Sequence, residues 1–219
     1  MGRAIIFANG EMLKTPGMLQ DLQPGDVIIA ADGGTYHCQA LGMTPEVIIG
    51  DFDSLETDEL ASYEQQGVET IRYPSHKDET DLELALQYAQ KHGFREIYVI
   101  GALGSRWDMT LANIMLIAHP NFSGINIHLL DGSQEFIILR GGQHATLHGQ
   151  PGKPLSLIPL GGDCLGVSTQ GLEYPLRDET LYFGAPRGVS NVFIADAAQV
   201  ELKEGVLLCI LNWAGFERE

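Results

Sequence analysis

Two aspartates one residue apart, Asp51 and Asp53, follow the apolar run Val47-Ile48-Ile49 in the segment Gly50-Asp51-Phe52-Asp53-Ser54. Such a run reads as a buried strand. In an extended stretch residues i and i+2 share a face, which brings both carboxylates to one divalent cation. The plainer reading is a solvated loop, with Asp53 or Ser54 capping the helix that follows. Three further polar clusters occupy the same relative place. Asp32-Gly33-Gly34 follows the run 27–31, Lys77-Asp78-Glu79-Thr80-Asp81 follows 68–73, and Gly101-Ala102-Leu103-Gly104-Ser105-Arg106-Trp107-Asp108 follows 96–100. One such loop means little. Four at consecutive strand ends converge on the crevice where open α/β sheets bind ligands.

Residue type then assigns the chemistry. Asp51, Asp53 and Asp81 offer hard oxygen ligands suited to Mg²⁺, which takes one or two carboxylates together with substrate phosphates. Carboxylates clustered without a cation repel one another, so the cluster itself implies a metal or raised pKa values. Gly33-Gly34 and the loop 101–104 let backbone N–H groups approach phosphate oxygens. Lys77 and Arg106 supply positive charge for the leaving and transferring groups, and Asp108 orients Arg106 or hydrogen-bonds a ribose or base. Each part also has a bland reading: Asp32-Gly33-Gly34 as an ordinary turn, Lys77 to Asp81 as a charged helix entry capped by Thr80 or Asp81, Ser190-Asn191 as a turn. Trp107 and Trp213 read as packed aromatics.

The elements that position these groups change character along the chain. Up to about residue 120, strand-like runs alternate with helical spacing five times, which predicts a mostly parallel sheet with helices on both faces. In the third long helix Leu82, Ala85, Leu86 and Ala89 share a face; in the fourth Leu111, Ile114, Met115 and Ala118 form the apolar set. From 125 onward short strand-like runs (127–130, 136–139, 145–147, 155–158, 189–195, 206–211) are separated by Gly-, Pro- or Asp-containing turns, and no helix is predicted. The expected architecture is an α/β domain over 1–124, Rossmann-like, followed by an all-β sandwich over 125–219.

A formal net charge of −16 on 219 residues argues against nucleic-acid backbones and anionic membranes as partners. Three widely spaced cysteines, Cys38, Cys164 and Cys209, fit buried thiols in a reducing compartment. The first apolar run spans only five residues, too few for a signal-peptide core or a membrane span, so a cytoplasmic location is expected. There is no G-x-x-x-x-G-K-[ST] and no G-x-G-x-x-G after the first strand, and Gln150-Pro151-Gly152-Lys153 lacks the first glycine of a P-loop.

Taken as an ordered set, Ala31-Asp32-Gly33-Gly34, Gly50-Asp51-Phe52-Asp53-Ser54, Lys77-Asp78-Glu79-Thr80-Asp81, the loop 101–108 and Ser190-Asn191 resemble the thiamine pyrophosphokinase family. The resemblance implies transfer of the β,γ-pyrophosphoryl group of ATP to the hydroxyethyl oxygen of thiamine, with release of AMP. It also implies a homodimer whose thiamine pockets lie between the α/β domain of one subunit and the β domain of the other. On the matching positions, Asp51, Asp53 and Asp81 would hold Mg²⁺ on the triphosphate and, with Lys77, form the catalytic set. Asp32, Gly33, Gly34, Ser54, Asp78, Thr80, Gly104, Arg106 and Asp108 would surround the nucleotide, and Ser190 and Asn191 would line the thiamine site. Two positions depart from the family pattern: Ser105 stands where a second adjacent glycine is common, and Met109 where His or Gln is common.

Three alternatives compete. A pyrophosphokinase of the same architecture acting on a pterin alcohol would need a remodelled β domain. A haloacid-dehalogenase-like phosphatase is mimicked by Asp51-Phe52-Asp53, but that motif normally follows the first strand of its domain and needs Thr or Val where Leu55 stands. A non-catalytic sensor of thiamine diphosphate or nucleotide would have no need of three retained carboxylates.

Overall fold

The computed structural model describes residues 2–12 and 16–212, so Trp213 lies outside the described residues. The chain forms two compact units, Met1–Gly132 and Ser133–Glu219. In the first, strands β1 (Ala4–Phe7), β2 (Val27–Ala31), β3 (Val47–Gly50), β4 (Glu69–Arg72) and β5 (Glu96–Ile100) alternate with helices α1 (Thr35–Ala40), α2 (Thr57–Gln65), α3 (Asp81–Lys91) and α4 (Trp107–Ile117). A sixth strand, β6 (Asn126–Asp131), follows α4. The strands pair in the order β6-β5-β1-β2-β3-β4 and every pairing is parallel.

Continuous apolar sequence explains the middle of this sheet. Every residue of β1 and of β3 is buried, as in strands covered on both faces. Each fully buried Ile or Phe there contributes about 1.5–3 kcal/mol relative to exposure. At the edge, β4 reads Glu-Thr-Ile-Arg with its charged ends exposed, a pattern that discourages pairing with another chain. Helix α3 starts where expected. The Thr80 hydroxyl accepts the Glu83 N–H at 3.2 Å, and Leu82, Ala85, Leu86 and Ala89 are buried.

The run 127–130, expected in the all-β domain, forms β6, which pairs in parallel with β5 and lies in the unit Met1–Gly132. Helix α4 buries Thr110, Asn113 and Ile117, which leaves Trp107 73%, Leu111 52% and Met115 61% exposed on its other side. Trp107 is therefore not a packed aromatic, because the face that meets the unit is set by Thr110 and Asn113.

The second unit has no helix among its described residues. Strands β7 (Gln134–Arg140), β8 (Gln143–His148), β9 (Pro154–Pro159), β10 (Cys164–Gln170), β11 (Glu179–Leu181), β12 (Asn191–Val192), β13 (Ala197–Leu202) and β14 (Val206–Asn212) pair antiparallel in two groups, β12-β9-β14-β7 and β11-β10-β13-β8. Both groups feed one core: Leu139, Leu155, Leu157, Leu207 and Leu211 from the first, Leu147, Val167, Leu181, Val200 and Leu202 from the second. All three cysteines are free and buried, and burial pushes the Cys38 and Cys209 thiols up to about 12. No helix among the described residues is long and apolar enough to cross a membrane.

Candidate active site

The order β5-β1-β2 reverses the direction in which the sheet grows, so a crevice opens past the carboxyl ends of β1 and β5. A cavity of about 560 Å³ occupies that place, lined by Asn9, Glu11, Asp32, Asp81, Gly104 and Arg106 among others. The polar clusters at the ends of β2, β3, β4 and β5 are the neighbours of this crevice.

The densest charge is carboxylate. Asp32, Asp51 and Asp53 each present an oxygen within 4.8 Å of the others. Glycine makes this approach possible: a Cβ on Gly50 would lie 2.9 Å from the Asp32 Cβ. Asp51 and Asp53 converge through a turn, not along an extended strand as the sequence implies. Phe52 between them has φ +64°, a left-handed conformation uncommon for a non-glycine residue. Its ring is buried, with the Arg72 guanidinium 4.9 Å from the ring centroid, and Arg72 also donates to the Asp51 carbonyl at 3.3 Å. Asp32 is strained in the same sense (φ +45°), is 6% exposed, and its Oδ1 is buried without a hydrogen-bond partner among the described residues. A buried carboxylate oxygen in that state calls for a ligand.

The electrostatics follow. The Asp53 N–H donates to the Asp51 carboxylate at 3.2 Å and, helped by Lys77, holds the Asp51 pKa below the ordinary carboxylate range. Asp53 is pushed the other way by Asp51 first and by Asp32 as a lesser contribution. Asp81 is raised by burial, which the ion pair to Lys77 only partly offsets. The Lys77 Nζ lies 2.9 Å from Asp81 Oδ1 and 3.9 Å from Asp51 Oδ2. Burial pulls the Lys77 pKa down, but Asp81, Asp51 and Asp32 outweigh it, and the amine stays cationic. So the third carboxylate beside Asp51 and Asp53 is Asp32, while Asp81 is engaged with Lys77.

The remaining expected residues fall into two groups. Arg106 donates to both oxygens of Asp108, at 3.3 and 2.6 Å, on an open surface, so of the two roles considered for Asp108 the structure displays the one on Arg106. Ser54 Oγ lies 3.5 Å from Asp53, and its carbonyl accepts the Tyr36 hydroxyl. Asp78 is exposed, and Thr80 caps α3. Gly33 and Gly34 are buried in a tight turn, where a Cβ on Gly34 would lie 1.9 Å from the Phe7 carbonyl. The glycine character of Gly34 is thus used against β1, and a Cβ on Gly33 would lie 2.4 Å from the Asn9 side chain. The Gly104 N–H is already donated to the Thr110 hydroxyl.

Ser190 and Asn191 lie in the second unit and differ from each other. Asn191 is 6% exposed; its Oδ1 accepts from the Tyr174 and Val192 N–H groups and its Nδ2 donates to the Tyr174 carbonyl at 2.7 Å. Ser190 is exposed, has φ +59°, and its N–H donates to the Ser156 hydroxyl.

Sequence reasoning missed Asn9, Glu11, Thr110 and Asn113, all of which line the cavity. Asn9-Gly10-Glu11 follows the first strand just as the other clusters follow theirs, so the same signal was present there.

Comparison with known proteins agrees across the chain. The thiamin pyrophosphokinase catalytic domain matches residues 20–129, and the family's vitamin B1 binding domain matches 144–207. Thiamine pyrophosphokinase of Bacillus subtilis is 29% identical over 205 residues, which cover 94% of this chain and 96% of that protein. Thiamine pyrophosphokinase 1 of Oryza sativa subsp. japonica is 28% identical over 165 residues; the match takes in 71% of this chain and 62% of the plant protein. The crystal structure of the Bacillus subtilis thiamine pyrophosphokinase aligns with a TM-score of 0.86 at 25% identity, over 97% of this chain and all of that one. The catalytic match falls in the unit that carries the carboxylates and the vitamin match in the all-β unit, and the chain belongs to the thiamin pyrophosphokinase family, whose members are enzymes that make thiamine diphosphate.

Proposed function

We propose that this chain moves the β,γ-pyrophosphoryl group of ATP onto the hydroxyethyl oxygen of thiamine. A thiamine oxygen–phosphorus bond forms at the β-phosphorus and the hydroxyl proton is released, while the bond from that phosphorus to the AMP oxygen breaks and AMP leaves with the electron pair. The observation that carries the proposal is the trio Asp32, Asp51 and Asp53 beside the crevice, with a buried Asp32 oxygen lacking a partner among the described residues. Three carboxylates converging within a few ångströms suit a hard divalent cation, and the raised Asp53 pKa is what uncompensated crowding produces. We assign Mg²⁺ to these residues, with Asp81 adjoining through Lys77. When bound, the cation supplies charge neutralisation to the triphosphate.

The chain's own groups do the rest. Lys77, held cationic by Asp81 and Asp51, adds positive charge for the phosphates, and Arg106, oriented by Asp108, adds a second from the rim. Positioning and charge neutralisation supply most of the acceleration in such transfers. On the acceptor side we assign thiamine to the Ser190-Asn191 region of the second unit. Asn191 shapes that surface through its backbone clip and Ser190 offers an exposed hydroxyl. The parallel sheet supports a Rossmann-like reading of the first unit, and the shared core of two sheets supports a β-sandwich reading of the second.

A homodimer fits as well. Trp107, Leu111 and Met115 form an exposed apolar stripe at helical spacing on α4, and a second copy is the occupant we propose for it. Light scattering should then give about twice the 23.9 kDa chain mass. The pterin-alcohol reading loses to the vitamin B1 domain match, and the phosphatase reading to a motif that follows the third strand. The deciding assay supplies ATP, Mg²⁺ and thiamine and separates products by chromatography. AMP and thiamine diphosphate should appear in equal amounts; ADP with thiamine monophosphate, or no acceptor product at all, would sink the proposal.

A further inference from the structure

The loop between β5 and α4 is held in an unusual way. Its four residues Gly101 to Gly104 have every carbonyl engaged. The Gly101 carbonyl accepts the Gly10 N–H at 2.6 Å, and the Leu103 carbonyl accepts the Glu11 N–H at 3.1 Å, both from the segment after β1. From the opposite side, Asn113 Nδ2 donates to the Ala102 carbonyl at 2.6 Å. The Thr110 hydroxyl donates to the Gly104 carbonyl and accepts the Gly104 N–H, both at 3.1 Å. Meanwhile the N–H groups of Ala102 and Leu103, residues that line the cavity and are 4% and 5% exposed, have no partner among the described residues. The loop is sorted by polarity: its acceptors are satisfied within the protein, while the Ala102 and Leu103 donors that line the cavity are left over.

Thr110 and Asn113 are out of place on any other account. They stand three residues apart on the face of α4 that packs inward, 8% and 6% exposed, where an amphipathic helix would ordinarily carry apolar side chains. Burying a hydroxyl and an amide there is unfavourable unless both are hydrogen-bonded, and their bonds all go to the loop. A free carbonyl dipole turned toward a triphosphate would repel it, whereas convergent N–H groups attract it.

We propose that Thr110 and Asn113 are positioning residues that fix the loop with its carbonyls satisfied, so that the Ala102 and Leu103 N–H groups are kept for an anionic oxygen of the nucleotide. This rests on the reading of the crevice as the ATP site. The side-chain hydrogen bonds of both end on the loop, so both act through its backbone.

The test compares Thr110→Val, which keeps shape and loses the hydroxyl, with Thr110→Ser, which keeps the hydroxyl. Calorimetric titration with ATP and Mg²⁺ should show affinity about tenfold weaker for the Val variant and most of it restored in the Ser variant. Steady-state kinetics should show the KM for ATP rising with the KM for thiamine unmoved. Asn113→Leu should weaken ATP binding in the same way, and its thermal unfolding is recorded alongside; should it fail to fold, the Val–Ser pair still decides. ATP affinity in Thr110→Val equal to the parent, a Ser variant as weak as the Val variant, or both KM values rising together would overturn the proposal. A parent protein that binds ATP and shows the Val–Ser difference yet makes no thiamine diphosphate would refute the assigned reaction and leave the loop assignment standing. A parent that binds no ATP would overturn both.

Discussion

Two polar sites in this protein are built on opposite terms. In the first unit, Asp32, Asp51 and Asp53 bring like charges within 4.8 Å, with two left-handed non-glycine residues and a buried oxygen that has no partner among the described residues. In the second, the Asn191 amide is buried as deeply as Asp32, but its oxygen takes two N–H groups and its nitrogen reaches a carbonyl. A polar group satisfied by its own backbone serves the fold. One left strained and unsatisfied is stabilised only when something else arrives, which is how functional sites commonly store strain. The sites should therefore respond oppositely to mutation, one losing activity and the other stability.

The largest effect is expected at Asp51. Asp51→Asn should lower turnover by at least ~100-fold, the usual consequence of removing one preorganised electrostatic contact. The melting temperature should stay the same or rise, since the amide oxygen still accepts the Asp53 N–H and one repulsive charge is gone. A large drop in melting temperature would place Asp51 with Asn191 as a structural residue. The mirror experiment is Asn191→Ala. It strands the Tyr174 N–H and carbonyl in a buried place and should cost about 2–3 kcal/mol, read by denaturant unfolding. Its effect on the KM for ATP should be nil.

Asp81 sharpens the same division within the first unit. As a direct metal ligand it should behave like Asp51; as the partner of Lys77 it should not. The 2.9 Å ion pair favours the second outcome. Asp81→Asn is expected to reduce turnover by about tenfold with the half-saturating Mg²⁺ concentration unchanged, measured by titrating the metal at fixed ATP. A shift in the Mg²⁺ requirement as large as that of Asp51→Asn would restore Asp81 to the metal set.

How far the sequence reveals this depends on which physical signal each element carries. The parallel strands were legible because central strands buried on both faces must be apolar throughout, as in Ile5-Ile6-Phe7 and Val47-Ile48-Ile49. Strand β10 was missed because Cys-Leu-Gly-Val-Ser-Thr-Gln buries only Cys164, Val167 and Thr169, and Gly166 inside it reads as a turn. Strand β13, Ala-Ala-Gln-Val-Glu-Leu, alternates correctly, but its alanines weaken the signal. In α4, apolar residues at helical spacing pointed to the wrong face, since Leu111 and Met115 are exposed and Asn113 is inside. The acidic residues were legible as a set because their position after strands is a matter of order along the chain. Which three of the four aspartates group together was not legible, because that follows from the Phe52 turn and from Gly50 admitting Asp32. Nothing local in the sequence encodes either contact.

The smallest effect concerns a carboxylate of the first unit that is satisfied in the manner of Asn191. Asp26 receives two nitrogens of the Arg3 side chain as well as the N–H groups of Arg3 and Gln23. Arg3 foremost, with those N–H groups, holds the Asp26 pKa down at about 2, whereas Asp53 is raised by its neighbouring carboxylates. The two shifts bear on stability with opposite sign. For Asp26 the unfolded chain binds the proton more readily, so its contribution is present above pH ~4 and is lost as the pH falls toward 2. For Asp53 the folded state holds the proton more readily, so mild acid relieves an unfavourable term. Chemical denaturation across this range should show Asp26→Asn less stable than the parent near neutrality by on the order of 1–2 kcal/mol, with the gap closing by pH 2. A constant gap across that range would mean that Asp26 contributes through packing and hydrogen bonding alone, and its contrast with the carboxylates of the site would then lie in satisfied hydrogen bonds and not in charge.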